Sequence, residues 1–249
     1  MIPSDSPQSL NPNPQILVPV PRAPFWDYSD FFLFTGLLVA SLTVTLFLAA
    51  ILLKVSSLGL GWKLILPQLI LYALVLSTLA AILRVRYDQP LWRSLGWRPI
   101  SLAVAFAALL AGPVLAIGLG LLGGALHTPE IDLPFQQTLG SPTTTVMLGI
   151  VVVVLGPVCE ELVFRGFLMP LLVRSLGVVA GVVATGVLFG AMHGYEYEWS
   201  WRHILLISMA GCIFGWARYK TRSTTASVFM HSTFNLTQFA ALLWQSRTL

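Results

Sequence analysis

Runs of apolar residues long enough to cross a lipid bilayer recur through most of this chain, and they restrict its fold more than any other feature. Phe31 to Leu53, Leu64 to Leu83 and about Ser101 to Leu126 are three such runs; further ones start near Thr144, at Val178 towards His193, at His203 to about Ala217, and at Ala226 to Trp244. A hydrocarbon core of about 30 Å takes roughly 20 helical residues to cross. The chain is 56% hydrophobic and only 10% charged, too few charges to coat a soluble surface. The expected fold is all-α: a polytopic transmembrane helix bundle of about seven spans.

Outside these runs the sequence supplies a tail and an orientation. Residues 1–24 carry Pro3, Pro7, Pro12, Pro14, Pro19, Pro21 and Pro24 among Ser, Asn and Gln, a composition that builds no core, so a disordered cytoplasmic tail is expected there. It lacks a basic segment followed by an early apolar core, so it is not expected to be removed as a signal peptide. Phe25, Trp26 and Tyr28 read as an aromatic anchor at the membrane interface, opening a transmembrane domain over 25–249. With the amino terminus inside, Arg22, Arg84, Arg86, Arg93, Arg98, Arg165, Arg174, Arg218, Lys220 and Arg222 fall on or towards the inner side. Lys54, Lys63, Arg202 and Arg247 fall outside, so the excess of inner positive charge predicts N-in, C-out, with the acidic loops outside. The net charge of +4 is spread over these loops and does not suggest a nucleic-acid partner. Cys159 and Cys212 lie in apolar segments without metal-type spacing and read as buried thiols.

One stretch breaks the apolar pattern. Glu160, Glu161 and Arg165 follow the uninterrupted apolar run from Val146 to Val158. A charged side chain at the centre of a membrane helix costs about 2.5–3.5 kcal/mol on insertion scales, so these groups need partners or a polar cavity. Glu161 and Arg165 are four residues apart and can pair on one helical face, while Glu160 points about 100° away. Phe189 with His193, and His231 with Asn235, repeat the four-residue spacing on two later helices. Glu160 and His193 lie at similar distances from a turn at about Leu176–Gly177, so an antiparallel pair returns them to similar depth. A buried carboxylate beside a histidine can take a proton from water, and a second histidine with a carboxamide can donate to an oxyanion. The roles that follow are Glu160 as general base, His193 as co-activator of the water, and His231 with Asn235 as oxyanion stabilisers. Glu161 and Arg165 form a structural pair, and Phe189 packs against its neighbours.

The ordered set Glu160-Glu161-x-x-x-Arg165, Phe189-x-x-x-His193 and His231-x-x-x-Asn235 resembles the CPBP family of intramembrane proteases, which includes the type II CAAX prenyl endoproteases. The resemblance covers a core at about 143–244. It implies a hydrolase acting on a membrane-associated protein or peptide, at a bacterial inner membrane, with the active site open to the cytoplasmic side. Such enzymes are described as metallopeptidases, although glutamate-activated water without direct metal catalysis is also argued for them. Glu160, His193 and His231 could supply three ligands to Zn²⁺, but no His-Glu-x-x-His helix is present and one carboxylate does not easily serve as both ligand and base.

Two other functions fit the same residues: a proton-coupled transporter or channel using the Glu and His groups as a relay, and a catalytically inactive membrane scaffold. Neither the sequence halves nor the spans repeat, which weighs against a transporter built from two related units. His127 and His203, at span boundaries, read as interfacial residues, and Tyr195 to Trp201 as an aromatic belt.

Overall fold

The structure is a computed structural model and describes residues 24–55, 57–131 and 134–246. The expected amino-terminal tail and Arg247 therefore lie outside the described residues, apart from Pro24. Eight α-helices follow one another: α1 (Tyr28–Leu53), α2 (Leu60–Tyr87), the single turn α3 (Leu91–Ser94), α4 (Leu102–Ala125), α5 (Pro142–Leu176), α6 (Val178–Met192), α7 (Trp201–Thr221) and α8 (Thr224–Gln245). A short 3₁₀ segment, Pro134–Thr138, precedes α5. No strand occurs among the described residues.

α1, α2, α4 and α5 are long and apolar enough to cross a membrane; α6 is apolar but has only 15 residues, and α7 and α8, with 21 and 22 residues, are more polar. The outer faces agree with a lipid environment. Phe32, Leu46 and Phe47 on α1 are 68%, 69% and 70% exposed, an apolar surface that water would not tolerate at this extent. The protein is an integral membrane helical bundle.

Helix ends follow local chemistry. Asp27 caps α1, accepting from Ser29 N and Asp30 N, while Asp30 accepts in return from Asp27 N. Asp30 is fully buried and also ties α1 to the end of α2, through Arg86 at 3.1 Å and the Tyr87 hydroxyl. Ser101 caps α4 by accepting from Val104 N. The expected turn between α5 and α6 falls at Gly177, whose φ of 80° and ψ of 171° belong to a region essentially reserved for glycine. Trp26 departs from the expected interfacial anchor. It is buried, its indole N–H donates to Phe167 O at 3.1 Å, and its ring stacks on Phe167. Fixing the indole N–H to a carbonyl makes that burial tolerable.

Among the described residues four apolar clusters hold the bundle, two of them larger than the others. α1, α2 and α5 meet around Phe34, Leu79, Leu83, Leu162 and Phe167, and α4, α7 and α8 meet around Ala108, Ala116, Phe214 and Phe234. At Gly112 the α4 backbone approaches α8 so closely that a Cβ would collide with Thr233 Oγ1 and the Met230 carbonyl. Gly112→Leu is expected to destabilise the fold by about 1–3 kcal/mol or more through overpacking. Gly118→Ala, with nothing within 4 Å of the added carbon, should leave stability unchanged or slightly raised. Thermal unfolding of both variants in detergent checks this contrast.

Candidate active site

α5 reaches the site through two π-helical stretches, Val151–Leu155 and Leu162–Leu168, flanking the α-helical turn Gly156–Glu161. In the first, Gly156 N–H bonds five residues back to Val151 O. The next donor in that register is Pro157, which has no N–H, so Val152 O lacks a helical partner. Asn235 on α8 supplies one, its Nδ2 donating to Val152 O at 2.9 Å. A proline, a shifted helical register and a carboxamide on another helix are thereby linked immediately before the two acids.

Glu161 and Arg165 are both fully buried and pair as the four-residue spacing predicts, with Arg165 Nη1 at 2.9 Å from Glu161 Oε1. Arg165 Nη2 donates to Gly211 O on α7 at 2.8 Å, and the guanidinium lies 4.4 Å from the ring centre of Phe189. The same Glu161 oxygen meets His231 Nδ1 at 3.0 Å. A carboxylate has only acceptors, so His231 carries a proton on Nδ1. One face of Phe214 stacks on the His231 ring at 4.6 Å, and Phe189 meets its edge at 5.7 Å. The ion pair therefore fixes α5, α7 and α8 together.

Glu160 turns away from that pair into a cavity of about 1000 Å³, and its side chain is 22% exposed. Its Oε2 is 3.9 Å from His231 Nε2. His193, at the end of α6, places Nδ1 at 2.8 Å from Phe189 O, which can only accept, so its Nδ1 also carries the proton. Both imidazoles thus spend Nδ1 on a fixed acceptor and keep Nε2 as the remaining ring nitrogen. Glu160, His193, His231 and Asn235 all line the cavity, as does Phe189. Glu161 and Arg165 stand behind it, closed off from solvent.

Other cavity groups were not singled out by spacing. The Tyr72 hydroxyl and Glu160 Oε1 lie 3.0 and 3.4 Å from the point where a Cβ on Gly156 would stand, so Gly156 leaves room for the two to approach. Tyr72 sits on α2 four residues after Gln68, which also lines the cavity, a polar pair at the same spacing that sequence reasoning passed over. Glu196, in the loop after His193, borders the cavity, although its acidic aromatic surroundings read as an interfacial belt. Burial among protein atoms raises its pKa, the positive potential of His193 lowers it and Glu160 raises it, with a net upward shift. Its carboxyl therefore keeps a proton to higher pH than usual. His127 and His203 also line the outer part of the cavity, His203 stacked on Tyr197 at 4.6 Å.

Two imidazoles with anchored Nδ1 and a carboxylate are the donor types of a catalytic zinc site. Their placement does not match one, because no group of three His, Cys, Asp or Glu side chains among the described residues is gathered closely enough to hold a metal ion.

Residues 142–237, from the first turn of α5 into α8, match the family model described as type II CAAX prenyl endopeptidase Rce1-like. No curated protein and no solved structure matches the chain.

Removing one member of a buried ion pair leaves an unpaired charge at a cost of about 3–5 kcal/mol, so Arg165→Met should lower thermal stability markedly. The Asn235 contact predicts a rescue. Asn235→Ala exposes the Val152 carbonyl as an unsatisfied group, costing about 1–3 kcal/mol, and Pro157→Ala in the same chain restores a helical N–H and should recover most of that loss. A double-mutant cycle read by thermal unfolding measures the coupling; additive losses would show that the two residues act separately.

Proposed function

Starting from a core whose residues 142–237 match the Rce1-like type II CAAX prenyl endopeptidase family, we propose that the protein is an intramembrane endopeptidase hydrolysing a peptide bond of a membrane-associated protein or peptide. The observation that carries this reading is the placement of Glu160 beside His231 Nε2, on a cavity within an apolar bundle, with the Nδ1 of both cavity histidines already committed.

In this mechanism a water hydrogen-bonds to Glu160 and to the unprotonated Nε2 of His193. Glu160 takes one proton as the water oxygen attacks the scissile carbonyl carbon, forming a tetrahedral intermediate with negative charge on the former carbonyl oxygen. His231 stands between two carboxylates, at 3.0 Å from Glu161 and 3.9 Å from Glu160, and the oxyanion role requires a proton on both of its ring nitrogens. In that form Nε2–H can donate to the oxyanion, and the second N–H of Asn235, beyond the one given to Val152, can add a further bond. Protonated Glu160 then delivers its proton to the leaving nitrogen as the C–N bond breaks, giving a carboxylic acid and an amine. Glu161 and Arg165 hold His231 and α5 in place and take no proton in the cycle.

The proposed route has the carboxylate itself activate the water, without a metal. Purified wild type in detergent should cleave members of a library of lipid-anchored and transmembrane peptides, detected by mass spectrometry. Glu160→Ala and His193→Ala should each reduce the rate by about 10²–10⁴, and a chelator should leave wild-type cleavage intact. Equal cleavage by the variants would remove Glu160 and His193 from the mechanism, and loss of activity with chelator, restored by Zn²⁺, would replace the carboxylate route by a metal one.

A further inference from the structure

The cavity has a definite polarity along the bundle. Its lining runs from Glu160, His193 and His231 to Leu64 near the start of α2, Gly124 near the end of α4, and Gln136 ahead of α5. Met192 at the end of α6 and His203 at the start of α7 belong to the same end. Nothing from the opposite loops, 84–101, 174–178 or 218–224, borders it.

Those opposite loops carry most of the positive charge. Among the described residues Arg84, Arg86, Arg93, Arg98, Arg174, Arg218, Lys220 and Arg222 lie at the closed end, against Lys54, Lys63 and Arg202 at the open end. Loops rich in Lys and Arg remain on the cytoplasmic side. An amino terminus inside and a site open to the cytoplasm are therefore incompatible expectations for this fold. The charge bias is measured over short loops, where the rule is strongest, and it selects the first.

The lining adds a chemical preference. Among the described residues it holds the carboxyl groups of Glu160 and Glu196 and no Lys or Arg, and Arg165 is sealed behind Glu161. A free carboxylate at a substrate's carboxyl terminus would find no Lys or Arg to pair with there and would compete with the oxyanion for His231, whereas a cationic segment would face the two carboxyl groups.

Resting on the peptidase reading above, we infer that the chamber opens to the non-cytoplasmic face and admits an internal, cationic or uncharged juxtamembrane segment of a membrane-anchored protein.

Single cysteines at Gln137, exposed at the open end, and Gln89, exposed at the closed end, test the orientation in intact host cells with a membrane-impermeant charged maleimide. The wild type, whose own Cys159 and Cys212 lie within the bundle, serves as the blank. Gln137→Cys should label in intact cells and Gln89→Cys only after permeabilisation; the reverse pattern, or labelling of both in intact cells, overturns the orientation. Co-expressed single-span substrates carrying one segment on either face test delivery. Cleavage is expected only on the outer face, roughly tenfold faster with lysines than with glutamates in the segment. Cleavage on the inner face, or a preference for glutamates, overturns the substrate assignment. If neither substrate is cut while the labels fall as expected, the peptidase reading is contradicted and the orientation stands on the labels alone.

Discussion

The buried pair of Glu161 and Arg165 is the interaction on which the rest of the site depends. Two full charges at 0% exposure in a lipid-embedded bundle need partners beyond each other, and here each reaches one across helices: Arg165 on Gly211 of α7, Glu161 on His231 of α8. The pair thus does for three helices what an apolar contact does poorly in lipid, where small residues and polar bonds set the packing. Gly186 and Gly190 bring α6 against α7 by the same logic of close backbone approach. With α5, α7 and α8 fixed, Glu160 is left as the acid that faces the cavity, 3.9 Å from His231 Nε2.

The second determinant is backbone irregularity. α5 is not a uniform helix, and its two π-helical stretches bracket the acids. Such insertions occur often at functional sites because they redirect side chains and free carbonyls. Pro157 decides which carbonyl is freed, and Asn235 answers it. The carboxamide therefore has a structural bond as well as a free N–H, and its two uses are compatible because an amide nitrogen carries two donors.

Much of this was legible in the sequence. The apolar runs mark the helices, the glycine at 177 marks the turn, and the spacing of Glu161 and Arg165 predicts their pairing, because a four-residue separation means one helical face. The bundle's end-to-end polarity was legible only in part. Basic loops indicate orientation, but which end the cavity meets depends on how α2, α4 and α8 pack around it. Tyr72 and Glu196 were hidden for a related reason: both reach the cavity by tertiary packing, Tyr72 from an α2 face shared with Gln68 and Glu196 from the loop that follows His193. Trp26 looked interfacial because its neighbours are aromatic; its burial depends on the Phe167 carbonyl, 141 residues away. The span count is less regular than the apolar runs suggest, because α6 is short and α7 and α8 spend polar residues on the site.

Glu160 and Glu161 are adjacent, chemically identical and assigned opposite duties, so separating them is the most direct test. Cleavage rate and thermal stability should be measured together on Glu160→Gln and Glu161→Gln, each removing one charge with little change of shape. Loss of cleavage with unchanged unfolding temperature for Glu160→Gln, and a clear fall in unfolding temperature for Glu161→Gln, is the result this account predicts. A Glu160→Gln protein that still cleaves at the wild-type rate, or a Glu161→Gln protein as stable as wild type, would contradict it.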